Sequence, residues 1–247
     1  QSVLSVLLDY RFKGEGNLAG HSLGNLMLLA MADITGDWVR AIRQLAGVLV
    51  TVGRLYPSTV MPVTLCAEDF QGRRYIGETS VNVCKPPLAR LWLEPFDVEP
   101  LPEALLAIMQ ADLILLAPGS LYTSTAANLL IPELSRAILR TETPVIYVAN
   151  LMTEPGESAG LDLEAHVATL QAFGGFPIHA VLANSAPLSG PILRRYHEEG
   201  GFPLLATRAS LCGVPVFSQP LLDPDAQLAR HHPSLLNQAL REVIESL

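Results

Sequence analysis

The chain has 247 residues, 49% hydrophobic and 16% charged, with a formal net charge of −8 and a mean hydropathy of +0.32. That suffices for a large buried core, and the acidic balance excludes the basic stripe that a nucleic-acid surface needs. No apolar run approaches the roughly 18 residues of a membrane-spanning helix. No secretory leader is visible, and the text opens on glutamine in mid-pattern, as expected of a portion of a longer protein. Cys66, Cys84 and Cys212 are odd in number and widely spaced, with no C-x-x-C pair. A reducing, cytoplasmic location is therefore expected, with neither a disulfide framework nor a structural zinc site.

In chain order, residues 20–53 predict two helices around an Ile-Thr-Gly-Asp break. Leu23, Leu26, Met27, Ala30 and Met31 form one stripe, and Trp38, Ile42, Leu45 and Leu49 another. Thr35 or Asp37 is the expected N-cap of the second helix. From Val60 to Leu93 the period changes to two. VTLCAED, RYIGETSVNV and LARLWLEP are expected strands, with Gln71-Gly72 as a hairpin turn between the first two. Together they predict a small antiparallel β-meander over about 60–93.

Beyond the meander, strands and helices alternate. PEALLAIMQA has Pro102 in position for a first helical turn, and DLILLA (112–117) is a short apolar run suited to a strand buried on both faces. NLLIPELSRAILR should be helical, started or kinked at Pro132. VIYVAN is a strand, LDLEAHVATLQAF a helix, IHAVLAN a strand and ILRRYHEE a helix. QLARHHPSLLNQALREVIESL is a helical stretch expected to break at Pro233. The alternation predicts right-handed crossovers and a mostly parallel, three-layer α/β sheet in one domain.

Strand C-termini in such sheets face the ligand crevice, and two of them run into polar loops. After DLILLA come Gly119, Ser120, Tyr122 and Thr123, where peptide N–H groups and hydroxyls suit an anion; an ordinary helix cap with a tight turn is the plain alternative. After VIYVA come Asn150, Glu154 and Glu157. The two carboxylates are expected to be solvated loop charges rather than a metal pair. GHSLGN offers His21 and Asn25 on one helical face, with capping by Ser22 as the alternative. RRYHEE (194–199) and ARHH (229–232) cluster cations and aromatics: Tyr196 could stack on a base or sugar, and Arg230 could pair with a diphosphate. The His231-His232 pair is expected at a solvated helix end. No dinucleotide fingerprint, P-loop, nucleophile elbow or catalytic cysteine pattern is present, so no catalytic residue and no metal site are assigned.

In order along the chain stand GHSLGNLMLLAMADITGD, VGRLYPST, VTLCAE, GETS, LEPFDVEPLPEALLAIMQADLILLAPGSLYTSTAANLLIPEL and NLMTEPGES. Together they resemble the gluconeogenesis factor family (YvcK-like), part of the wider fold family that includes 2-phospho-L-lactate transferase (CofD-like). The resemblance runs from about Tyr10 to His166 and more loosely to the end. It implies a Rossmann-like fold and a non-catalytic cytoplasmic binder of UDP-sugars, notably UDP-N-acetylglucosamine, that adjusts cell-wall precursor supply and cell shape. It also implies a regulated enzyme of amino-sugar synthesis as partner, a homodimer, and no required cofactor beyond magnesium carried with the nucleotide. Tyr196 and Arg230 match the positions the family uses for the UDP-sugar, and the 119–123 loop and His21–Asn25 segment should line the same crevice. The alternative from the wider family is a transferase acting on a nucleotide-diphosphate donor. Two features depart from the family. Its glycine-rich opening (Gly-Gly-Gly-Thr-Gly, then Gly-Gly-Ser-Ser-Gly) is not in this text, and Ala117 stands where the family has glycine.

Overall fold

The computed structural model describes residues 3–49, 52–223 and 227–247. The chain forms two compact units, 1–60 and 61–247.

In the first unit, α1 (Val3–Asp9), α2 (Leu23–Thr35) and α3 (Trp38–Val48) follow one another. Ser22 Oγ caps α2 by accepting the Asn25 N–H at 3.1 Å. Gly36 (φ +66°) ends α2, donating its N–H to the Ala32 carbonyl, a conformation that suits glycine. Asp37 then caps α3, Oδ1 accepting the Arg40 N–H at 2.6 Å. Of the two expected caps, Asp37 holds the position.

The second unit opens with the meander β1 (Thr64–Asp69), β2 (Arg74–Ile76) and β3 (Leu88–Glu94), antiparallel in the order β2-β1-β3. Asp69 shapes the hairpin: its Oδ1 accepts the Gln71 and Arg73 N–H groups, each at 2.9 Å, and its Oδ2 accepts the Tyr75 hydroxyl at 3.0 Å. The alternation in RYIGETSVNV misleads beyond Ile76. Gly77 (φ +83°) turns the chain, and α4 (Glu78–Asn82) follows, burying Val81. A period-two pattern across a glycine with positive φ cannot continue as a strand.

Next come α5 (Pro102–Met109), β4 (Ile114–Leu116) and a turn of π-helix over Leu121–Ala126 that runs into α6 (Ala127–Leu129). They are followed by α7 (Pro132–Thr141), β5 (Val145–Val148), α8 (Leu163–Gly174), β6 (Ala180–Asn184), α9 (Gly190–Glu198), β7 (Ser210–Leu211), β8 (Val214–Gln219) and α10 (Pro233–Ser246). Pro102, Pro132 and Pro233 each stand in a first turn, where the missing N–H costs nothing. Pro233 therefore starts α10 rather than breaking a longer helix, and His232 is its N-cap, Nδ1 accepting the Leu235 N–H at 3.4 Å.

The second sheet runs β4-β5-β6-β8-β7. The pairs β4/β5, β5/β6 and β6/β8 are parallel, and β7 is antiparallel at the edge. Alternate residues of β5 and β6 feed two cores. Val145, Tyr147, Val181 and Ala183 pack with α8, α7 and the meander; Ile146, Val148, Ala180 and Leu182 pack with Ala239 and Val243 of α10. A sheet covered on both faces explains the unbroken apolar runs, and the result is the expected three-layer, Rossmann-like α/β fold. Among the described residues no helix is long and apolar enough to cross a membrane.

Candidate functional site

Because β4 and β5 are parallel neighbours, their C-terminal loops emerge side by side. Asn150, just past β5 and only 8% exposed, locks the two loops together. Its Oδ1 accepts the Gly119 N–H at 3.0 Å and its Nδ2 donates to the Gly119 carbonyl at 2.8 Å. Only a side-chain amide offers acceptor and donor in one plane, so aspartate or leucine could not make this bracket. A Cβ at Gly119 would sit 3.3 Å from the Ser124 Cβ, so the close approach suits glycine. The Gly119 N–H thus serves the loop-to-loop clamp rather than standing free for an anion. The next N–H groups, of Ser120 and Leu121, open the helical turn and have no partner within it.

The Ser120 carbonyl accepts from both Ser124 (3.1 Å) and Thr125 (2.9 Å), the widened turn that makes this stretch π-helical. Such turns recur at functional sites. Tyr122 points inward: it is buried at 1% exposure, edge-on to Phe173 at 6.4 Å, and its hydroxyl accepts the Leu88 N–H at 3.4 Å. The sequence placed Tyr122 at the ligand; the structure places it in the core behind the loop.

Below the turn, the Thr123 N–H donates to Glu157 Oε2 at 3.2 Å. Glu157 is not a solvated loop charge, because it is 0% exposed and the Glu157 N–H donates to the Asn82 carbonyl at 3.1 Å. Burial, with the nearby Glu154 carboxylate second, pushes its pKa up to about 7. Its Oε1 has no hydrogen-bond partner among the described residues. The rest of this loop is tied to the segment after α9: Thr153 exchanges hydrogen bonds with Phe202 (2.7 and 2.8 Å), and Leu204 N–H donates to the Leu151 carbonyl at 3.1 Å.

A cavity of about 240 Å³ opens here, with Gly119, Asn150, Glu154, Tyr196 and His231 among its walls. Tyr196, far from the other two loops in sequence, arrives on α9. Arg230 is exposed, while its neighbours Ala229 and His231 are wall residues. His231 was expected at a solvated helix end; it instead pairs with Leu222 in a short antiparallel bridge ahead of α10. His21 and Asn25 belong to the 1–60 unit, where both are exposed. A larger cavity of about 580 Å³ lies within that unit, lined by Arg43, Gly47, Gly53, Arg54 and Tyr56 among others. Among the described residues no group of three or more His, Cys, Asp or Glu could hold a metal ion.

Residues 1–222 match the family model described as 2-phospho-L-lactate transferase CofD. A putative gluconeogenesis factor of Nostoc sp. is 36% identical over 97% of this chain and 54% of its own length. One of Aquifex aeolicus is 32% identical over 100% of this chain and 76% of its own. The gluconeogenesis factor of Bacillus subtilis is 38% identical over 80% of this chain and 63% of its own. A crystal structure of a Bacillus halodurans protein superposes with a TM-score of 0.87 at 32% identity, covering 98% of this chain and 78% of that one. The chain thus spans about half the length of the Nostoc relative and about three quarters of the Aquifex one. Matched in sequence along almost its whole length and in fold to a solved structure, the chain belongs to the gluconeogenesis factor family, within the wider CofD-like family.

Proposed function

We propose that this chain binds a nucleoside-diphosphate sugar, UDP-N-acetylglucosamine in kind, in the cleft at the C-terminal ends of β4 and β5, as a non-catalytic regulator. The observation that carries this reading is the Asn150–Gly119 bracket with Tyr196 and His231 in the same cavity wall. It rigidly presents a helical-turn start, an aromatic ring and polar side chains to one ligand, with no nucleophile among them. Ser120 and Thr123 follow the bracket and contribute to the phosphate end; Tyr196 stacks on a ring of the ligand; Arg230, flanked by wall residues, reaches the diphosphate. His21 and Asn25, also carried from the family resemblance, lie in the 1–60 unit. At about 240 Å³ the cavity is smaller than the ~300–1,000 Å³ usual for a complete ligand site. It takes the diphosphate and one adjoining ring and leaves the remainder at its open side. Magnesium enters, if at all, with the nucleotide.

In the cell the bound state would report amino-sugar supply to an enzyme of amino-sugar synthesis, in the cytoplasm and as a homodimer, and so influence cell-wall growth and cell shape. A second reading, transfer of a phosphoryl-linked group from a nucleotide-diphosphate donor, draws on the match to the CofD family model. Product formation from GDP- or UDP-linked donors would favour it.

The test is a thermal-shift panel of UDP-, GDP- and adenine nucleotides on the full-length protein. A ligand at 100 times its Kd adds about 2.7 kcal/mol of stability, so the uridine class should stand out, and a flat panel contradicts the proposal. A charge-assisted hydrogen bond is worth roughly 1.5–3 kcal/mol. Arg230→Ala should therefore weaken UDP-N-acetylglucosamine binding by about tenfold to a hundredfold in calorimetry. Tyr196→Phe should cost less than Tyr196→Ala if stacking carries the contact. Unchanged affinity in both alanine variants, with folding intact, removes Tyr196 and Arg230 from the site.

A further inference from the structure

Tyr196 reaches the cavity wall from α9, and the chain just beyond that helix holds it there. The Tyr196 carbonyl accepts the Glu199 N–H at 3.1 Å and the Gly201 N–H at 2.8 Å, which folds residues 199–201 back onto the end of the helix. Phe202 is then held at both backbone atoms by Thr153, itself a wall residue and only 2% exposed. The Thr153 N–H donates to the Phe202 carbonyl at 2.7 Å, and Thr153 Oγ1 accepts the Phe202 N–H at 2.8 Å. Gly201 stands between Thr153 and Tyr196. A Cβ on it would lie 3.0 Å from the Thr153 carbonyl oxygen and 3.4 Å from Tyr196 Cδ1. Its φ lies outside the left-handed region, so glycine serves the close approach here and not the backbone conformation.

We infer that Gly201 and Thr153 are positioning residues for the ligand: together they seat the Tyr196 ring in the cleft, at a place fixed by the loop after β5. This inference rests on the nucleotide-sugar reading, in which that ring stacks on the ligand. The Asn150–Gly119 bracket joins the loops after β4 and β5. The Thr153–Phe202 bracket joins the same β5 loop to the chain at the end of α9. One loop therefore sets both the Gly119 side of the cleft and its aromatic wall. A methyl group on Gly201 must displace either the Thr153 backbone, which its bonds to Phe202 hold, or the Tyr196 ring, which is half-buried at the cavity. The ring is the one free to yield. Stacking depends on the offset and separation of the rings, so a displaced Tyr196 weakens binding while the fold stays intact.

The test is calorimetry of the full-length protein with UDP-N-acetylglucosamine. Gly201→Ala should bind about threefold to tenfold more weakly, the worth of one aromatic contact, with circular dichroism unchanged. In a Tyr196→Ala background the same substitution should change affinity by less than about twofold, because the ring it displaces is gone. Losses that add would show Gly201 acting other than through Tyr196 and overturn the inference. Should Gly201→Ala fail to fold, Thr153 decides. Thr153→Val keeps the β-branched shape and the backbone bond to Phe202 but leaves the Phe202 N–H unmatched. Its affinity should fall with the same dependence on Tyr196, and Thr153→Ser, which restores the acceptor, should recover most of the loss. Wild-type affinity in Gly201→Ala and Thr153→Val, or a Tyr196→Ala that costs nothing, overturns the inference while the nucleotide-sugar reading stands. A wild-type protein that binds neither UDP-N-acetylglucosamine nor UDP overturns that reading, and this inference with it.

Discussion

Gly156→Ala should cost more than about 3 kcal/mol of stability. Gly156 has φ +90°, and a Cβ there would lie 2.3 Å from the Asn82 carbonyl oxygen and 3.1 Å from the Val83 Cα. Both obstacles are backbone, so no rotamer change relieves them. The strained φ alone costs a non-glycine residue roughly 1–2 kcal/mol, and the clash adds the displacement of the 153–158 loop from α4. That displacement breaks the Glu157 N–H bond to the Asn82 carbonyl and, through Glu157, the support of the Thr123 N–H, so ligand binding should weaken together with stability. Gly160 (φ +76°) provides the control, because nothing lies within 4 Å of its Cβ position, and Gly160→Ala should lose only the backbone contribution. For a domain of this size 1 kcal/mol shifts Tm by about 2–4 °C, so the two variants should separate by several degrees in a thermal melt. Equal losses in both would mean that the close approach to Asn82 is not what fixes Gly156.

Glu157→Gln should remove a pH dependence of stability. Burial raises the Glu157 pKa from 4.5 to about 7. Between those values the unfolded chain releases a proton that the native state retains, so native stability falls as pH rises through this window. Each pKa unit is 1.36 kcal/mol, which puts the loss at roughly 3 kcal/mol by neutral pH. Below pH 4.5 both states hold the proton and the residue contributes no slope. Glutamine is uncharged and keeps an oxygen for the Thr123 N–H. In Glu157→Gln the urea midpoint should therefore vary less between pH 4.5 and 7, and the variant should be the more stable protein at the upper end. An unchanged slope would assign the pH dependence to other groups and place the Glu157 carboxylate in a less hostile environment.

Much of this was legible in the sequence, for reasons that particular residues make clear. The unbroken apolar runs of β5 and β6 announce strands covered on both faces, and proline in a first turn marks the starts of α5 and α7, whereas Pro233, read as a break, starts α10. Asn150 was visible as a polar residue at a strand end, although its partner was not: the bracket to Gly119 depends on β4 and β5 being neighbours, which no local pattern encodes. Glu157 was read as a solvated loop charge because a carboxylate in TEPGES looks like any other; it is instead fully buried, with its contacts to Asn82 and Thr123 distant in the chain. Tyr122 misled in the opposite direction, since the hydroxyls around it hide that it serves the core. His231 had a signal that could have been used. Proline at the first helical position makes His232 the N-cap, which leaves His231 outside the helix and free to face elsewhere.

The most direct measurement is a crystal structure of the full-length protein with UDP-N-acetylglucosamine bound. Density should lie against Gly119 and Ser120, with a ring over Tyr196, and the Asn150–Gly119 bracket should be intact. Ligand seated instead in the Arg43, Arg54 and Tyr56 cavity of the 1–60 unit, with the Gly119–Asn150–Tyr196 cleft empty, would contradict the assignment of the site.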